Sequence, residues 1–184
     1  MSAHRLETKR VVLLPWDSED WLAFKPIATD PQVMRYVSEG GQPWTDAQIA
    51  EFVERQRNHY RERGFCLWKM VSRDSEGMVG FCGLQPLTGT SEIEIGWWLS
   101  PGLWGQGIAT EAAAAALADA FGRSGLDRVV AVAQKENRAS TRVMEKVGMR
   151  YERETSHRGS ALSCIRLRRK LVKLLRRGIG PDLD

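Results

Sequence analysis

The chain has 184 residues, 42% of them hydrophobic and 27% charged, which fits one globular domain able to bury a core without disulfides or structural metal and excludes disordered and fibrous classes. Its formal charge of +4 at pH 7 is uneven: from Thr155 onward there are eight Lys or Arg and two Asp, leaving 19 basic and 21 acidic residues before it. The positive excess is therefore a local C-terminal feature, which excludes a broadly basic, nucleic-acid-binding body.

In chain order, Arg10–Pro15 reads as an opening strand closed by Pro15, followed by a helical stretch from Asp17 to about Ile27. Asp30-Pro31 starts a short helical turn. Thr45 with Gln48 makes a capping box, and Ile49, Phe52, Val53, Gln56 and Tyr60 follow at helical spacing up to Gly64. Phe65–Val71 and Met78–Leu87 flank the turn residues Asp74-Ser75-Glu76-Gly77, and a second turn near Thr88-Gly89-Thr90 leads into Glu92–Leu99, giving a three-strand meander. A glycine-rich loop, Pro101–Gly107, precedes a helix to about Gly122 in which seven of the eleven residues Glu111–Phe121 are alanine, small enough to lie close on a sheet. Val129–Ala133 is a buried strand, Asn137–Val147 a helix ended by Gly148, and Tyr151–Lys170 a hairpin turning at Arg158-Gly159-Ser160. This order predicts a mixed α/β sheet, antiparallel in its first half, with a right-handed crossover through the Ala-rich helix.

The longest apolar stretch, Ala112–Ala118, is too short to cross a bilayer, and no membrane association is expected. Residues Met1–Glu7 carry no apolar core of a secretory signal, so a cytoplasmic protein is expected. Cys66, Cys82 and Cys164 are widely spaced within apolar runs and read as buried thiols, with no metal site and no disulfide framework. His4, His59 and His157 show no pairing. Trp16, Trp21, Trp44, Trp68 and Trp97 read as packing residues, whereas Trp98 precedes and Trp104 opens the segment that carries the chemistry.

That segment is Trp104-Gly105-Gln106-Gly107-Ile108-Ala109-Thr110-Glu111-Ala112, between a strand and a helix. Its glycines let the backbone turn tightly with N–H groups outward, and the helix start adds unpaired donors, an arrangement suited to a pyrophosphate. A plain loop closed by Thr110 as N-cap accounts for the same residues. A P-loop is excluded because Ile108-Ala109 stands where Lys and Ser/Thr are required, and a dinucleotide fingerprint because Thr110 occupies its third glycine position. A second segment is Asn137-Arg138-Ala139-Ser140 followed by Val143-Met144-Glu145-Lys146-Val147-Gly148-Met149, for which N-capping by Asn137 is a sufficient structural account.

Together the two segments resemble the GNAT superfamily of acetyl-CoA-dependent N-acetyltransferases. The family pattern Gln/Arg-x-x-Gly-x-Gly/Ala is matched by Trp104–Ala109 except at its first position. The Glu94–Leu99 strand, the Trp104–Ala112 run and the Asn137–Met149 ending look like the branch that contains ribosomal-protein N-terminal acetyltransferases. The resemblance, from roughly Leu6 to Lys170, implies a mostly antiparallel twisted sheet of six or seven strands, about four flanking helices and a V-shaped splay between the fourth and fifth strands. A single domain over residues 1–172 and a basic tail over 173–184 are expected. The resemblance also implies that amides from Gly105 and Gln106 through Gly107, Ile108, Ala109 and Thr110 hold the acetyl-CoA pyrophosphate. Main-chain groups near Trp98 and Leu99 would pair with the pantetheine arm, aided by a bulge at Gly96; Trp104 would line the groove and Asn137 would hydrogen-bond from its other side.

Many family members carry a Tyr seven residues after the Asn, where it protonates the departing thiolate; here that residue is Met144, which has no proton to give. Ser140 is the best remaining donor, with a helix-cap role as the alternative. The attacking amine must be neutral, and an α-amine with a pKa of roughly 7.7 to 8 needs only a modest base. Glu92 and Glu94 share one strand face, solvent exposure being the plain alternative; Glu94 is favoured because it lies nearer Gly96 and the expected thioester. The expected activity is direct acetyl transfer to a primary amine, chiefly a protein or peptide N-terminus. Small amines such as polyamines, amino acids or antibiotics, and a non-catalytic acyl-CoA-binding module, are the alternatives. A homodimer and RNA or ribosome contact through Arg166–Arg177 stay open, the plain account of the latter being Leu167, Leu171, Leu174 and Leu175 packing inward.

Overall fold

The computed structural model describes residues 4–157 and 160–168. Its first half runs β1 (Leu6–Glu7), β2 (Val11–Leu14), α1 (Asp20–Ala28), α2 (Pro31–Met34), α3 (Asp46–Arg63), β3 (Leu67–Ser72), β4 (Met78–Pro86) and β5 (Ile93–Leu99). The second half adds α4 (Ile108–Gly122), β6 (Arg128–Ala133), α5 (Arg138–Lys146), β7 (Arg150–His157) and β8 (Ser160–Arg168). The strands form one sheet in the order β1-β2-β3-β4-β5-β6-β8-β7. Every neighbouring pair is antiparallel except β5 and β6. The eighth strand, beyond the seven read from the sequence, is the two-residue β1, too short to show any periodicity. The tail from residue 169, with Leu171, Leu174, Leu175 and the expected domain limit, lies outside the described residues, as do two residues of the turn expected at 158–160.

Local chemistry explains the helices that frame the site. α3 starts at the capping box, with Thr45 N–H donating to Gln48 Oε1 at 2.8 Å and Gln48 N–H to Thr45 Oγ1 at 3.3 Å. Its buried stripe is Ile49, Phe52, Val53 and, unusually, Gln56. Asp30 caps α2 by accepting from the N–H groups of Gln32 and Val33, with Pro31 at the first helical position. Lys69, only 8% exposed, reaches from β3 to Asp17 and Asp20 and so anchors the start of α1.

Phe24 of α1 and Phe52 of α3 stack 5.4 Å apart, and both meet Phe81 of β4 and Trp98 of β5. Trp44 closes this aromatic cluster at 4.7 Å from Trp98. α4 packs on the same two strands and, with that face filled, takes the opposite one. There Ala112, Ala113, Ala116 and Ala120 are completely buried, which is the close approach that the alanine run makes possible.

The position of the site follows from the parallel pair. β5 and β6 register at Glu94 and Val130, and towards their C-terminal ends they part, as the resemblance implied. On the near side of that junction a ring of charges holds the strands together: Arg128 pairs with Glu92 and Glu152, and Arg153 with the same two carboxylates. The expected bulge at Gly96 is absent. Register runs unbroken through Glu94–Gln85, Ile95–Leu84, Gly96–Gly83 and Trp97–Cys82. What Gly96 contributes is the lack of a side chain on the floor of a cleft.

Candidate active site

Gly105 and Gly107 have φ of 74° and 81°, a left-handed conformation that favours glycine. Gly107 is the residue before α4, and no side chain caps that helix, so the N–H groups of its first turn are left for a ligand. Thr110 lies inside the first turn and is not the N-cap, because Gly107 already turns the chain into the helix. Arg10 donates to the Gln106 carbonyl. Since the peptide group is planar and trans, the Gly107 N–H points away from Arg10. Ile108 is buried at 5% exposure and Ala109 packs against the core, so both offer the nest only their backbone. The Gln106 side chain turns back to the Gly102 carbonyl at 3.0 Å.

From this loop a groove of about 310 Å³ runs past Trp104, Leu99 and Trp98 to Asn137 and Ser140, with Arg142 and Lys146 of α5 on its other wall. Ser100 N–H donates to Val79 O at 2.9 Å. Gly80 and Leu99 are thereby a non-hydrogen-bonded pair, so Leu99 and Trp97 direct their main-chain groups away from β4 into the splay, while those of Trp98 are used by β4. The expectation for Trp98 therefore changes: its indole, not its backbone, faces the opening. The Leu99 carbonyl accepts from Trp104 Nε1 at 2.7 Å, which leaves its N–H. Donors of an uncapped helix, two facing cations and a strip of unpaired main chain suit a long ligand with anionic and amide groups.

The groove continues into a cleft of about 250 Å³ bounded by Glu94, Gly96, Arg55, Tyr36, Phe81 and Met144, and Trp97, Trp98, Asn137 and Ser140 line both spaces. Trp97, expected as a packing residue, is only partly buried for this reason. Glu94 Oε1 accepts from Gln85 Nε2 at 2.7 Å. Glu92 lines neither space and is held by Arg128 and Arg153. Asn137 caps α5 by accepting from Ser140 N–H at 3.1 Å, so the capping account holds for the Asn137 oxygen and the Ser140 backbone. The Ser140 hydroxyl and the Asn137 amide have no hydrogen-bond acceptor among the described residues.

The family model for the acetyltransferase (GNAT) domain matches residues 10–150. The chain belongs to the GNAT acetyltransferase family. It is 33% identical over 147 residues to the uncharacterized N-acetyltransferase YnaD of Bacillus subtilis, covering 80% of this chain and 83% of that protein. A GNAT-family acetyltransferase structure from Bacillus anthracis matches with a TM-score of 0.76 at 25% identity, over 91% of this chain and 99% of that one. Mycobacterium smegmatis RimJ in complex with CoA-disulfide matches in fold, with a TM-score of 0.78 at 20% identity over 96% and 95% of the two chains. This GNAT chain is thus an acetyl-CoA-dependent N-acetyltransferase.

Three features of the GNAT site were not read from the sequence. Arg10 ties the nest to β2: its Nε and backbone N–H reach Glu111 Oε2 and Oε1, each at 2.8 Å. Burial pushes the Glu111 carboxyl up, but hydrogen bonds from Thr8 and Arg10 and the Arg10 charge outweigh it and hold the group below the usual range. Gln85 and Gln56 stand behind Glu94, and Arg142 and Lys146 supply positive charge from α5. The spacing of the last two from Arg138 on a basic helix face was the one available signal. Cys66 and Cys82 are buried free thiols whose pKa burial pushes up, which makes them inert packing groups. No helix is long and apolar enough to cross a membrane, and no cluster of metal-ligating side chains occurs, among the described residues.

Proposed function

We propose that this enzyme acetylates a primary amine borne on an apolar body, with the N-terminal α-amine of a peptide or protein as acceptor, in one direct step. Acetyl-CoA supplies the acetyl group as a thioester; the nest from Gly105 to Thr110, the Leu99 N–H and the Asn137 amide would hold it. Glu94 takes a proton from the amine as its nitrogen lone pair bonds to the acetyl carbon. Ser140 Oγ–H gives a proton to sulfur as the carbon–sulfur bond breaks, and solvent restores it. Buried free thiols and acetyl-CoA as donor support a cytoplasmic setting.

The observation that carries the acceptor class is the charge content of the cleft. Among its described lining residues Glu94 is the sole carboxylate, Arg55 the sole cation, and Trp44, Phe52, Phe81 and Trp98 form an aromatic wall. Polyamines and aminoglycosides carry several ammonium groups, each needing a partner when desolvated, whereas a single amine beside an apolar side chain matches one carboxylate and one aromatic wall. The cleft volume of about 250 Å³ also suits a small apolar monoamine, which is the second reading. Release of free CoA across peptides varied at the first residue, monoamines, spermidine and an aminoglycoside tests this. Peptides with an apolar first residue should give the highest kcat/KM, and preferential turnover of the multicationic amines would overturn the proposal.

A further inference from the structure

Glu94 is joined to the backbone through a chain of hydrogen bonds. Leu67 N–H donates to Gln56 Oε1 at 2.9 Å, Gln56 Nε2 to Gln85 Oε1 at 3.2 Å, and Gln85 Nε2 to Glu94 Oε1 at 2.7 Å. The direction of this chain is forced. A backbone amide can only donate, so Gln56 faces Leu67 with its oxygen and must turn its NH₂ to Gln85; Gln85 then accepts with its oxygen and presents its own NH₂ to Glu94. One main-chain N–H thereby sets two side-chain amides and delivers a donor to the carboxylate.

Packing alone does not account for Gln56. It is 0% exposed on a stripe otherwise made of Ile49, Phe52 and Val53, where an apolar residue of equal length would fill the space but leave the buried Leu67 N–H and the Gln85 oxygen without this partner. Gln85 and Glu94 are direct cross-strand partners, so the end of the chain is as rigid as the sheet.

We propose that Gln56 and Gln85 are positioning residues for the proton acceptor, holding the Glu94 carboxylate ionised and in one orientation at the edge of the cleft. The inference rests on Glu94 as the base. A donor-only neighbour favours the charged carboxylate, because a protonated oxygen there accepts less strongly. Among the described residues, Arg55 of α3 and Tyr36 after α2 line the same cleft, and Glu92, on the same strand face, is paired with Arg128 and Arg153.

The test uses Gln85→Met and, as a second variant behind it, Gln56→Met, in the full chain. The acidic limb of the kcat profile should move up by about one pH unit in Gln85→Met, with KM for acetyl-CoA unchanged. Gln56→Met should move it the same way by less. Adding Gln85→Met to Glu94→Gln should change kcat no further. In parallel, the Glu94 side-chain carboxyl is titrated by carbon NMR, and its midpoint should rise in Gln85→Met. A midpoint unchanged in both variants overturns the positioning role. A risen midpoint with full activity in Glu94→Gln overturns Glu94 as the base while the hydrogen-bonded chain stands.

Discussion

Arg10 and Glu111, 101 positions apart, lock the first turn of α4 to the start of β2 through both carboxylate oxygens. The same guanidinium holds the Gln106 carbonyl, so one arginine fixes the helix start and the peptide plane whose N–H faces the groove. Because Glu111 already neutralises it, Arg10 orients the nest without adding net positive charge. Arg10→Met should raise KM for acetyl-CoA by about tenfold, roughly 1.4 kcal/mol, and leave kcat nearly unchanged. Steady-state kinetics at a saturating acceptor check this.

The same pair sets an acid dependence. Glu111 is held below its ordinary value of 4.5 in the folded protein, so the unfolded chain binds its proton first as pH falls. Its stabilisation is complete above 4.5 and is lost as pH drops through the lower folded value. Thermal melts between about pH 5 and pH 3 should therefore fall more steeply for the wild type than for Arg10→Met. Parallel curves would mean that the contact does not report on folding.

Gly107→Asp tests the nest itself. The residue needs φ of 81°, and an added Cβ meets Arg10 Nη2 at 3.4 Å, so the variant carries backbone strain and sets a carboxylate against the guanidinium that orients the nest. Acetyl-CoA at 100 times Kd should stabilise the wild type by about 2.7 kcal/mol, and this thermal shift should vanish in a folded Gly107→Asp protein.

Local signals were legible because they act over a few residues. The Thr45 and Gln48 capping box, the Asp30-Pro31 start and the glycines at 105 and 107 each declare a backbone geometry in their own chemistry. Tertiary partners were not. Nothing within four residues of Gln56 says that its amide satisfies Leu67 and Gln85, and nothing near Arg10 points to Glu111. A bulge at Gly96 and the alternative in which Thr110 caps the helix are both permitted by residue type, and both yield to neighbours in space that set the backbone. Gly83 opposite Gly96 keeps the strand register regular, and Gly107 starts α4 before Thr110 can.

Glu92 and Glu94, indistinguishable by strand face, should separate cleanly by mutation. Glu92 sits in the charge ring with Arg128, Arg153 and Glu152 that closes the base of the splay. Glu92→Gln should cost about 1 kcal/mol of stability, given that Arg128 is partly exposed, and should become harmless at high salt, with turnover retained at moderate temperature. Glu94→Gln should keep its stability and lose kcat, most severely on the acidic limb. The reverse pattern would move the base to Glu92.

Ser140 tests the other proton. Its backbone N–H belongs to the Asn137 cap, and substitution by alanine keeps that bond, so the helix start survives while the hydroxyl is lost. If the hydroxyl protonates sulfur, its effect appears only as negative charge develops there, and a group that acts in the transition state lowers kcat without weakening ground-state binding. Ser140→Ala should therefore reduce kcat by about 10²-fold with little change in acetyl-CoA affinity. A better leaving group needs less help, so a donor whose thiol has a lower pKa should recover part of the loss in the variant and gain little in the wild type. Loss of affinity in place of kcat would make Ser140 a binding residue and leave the thiolate to be protonated by water.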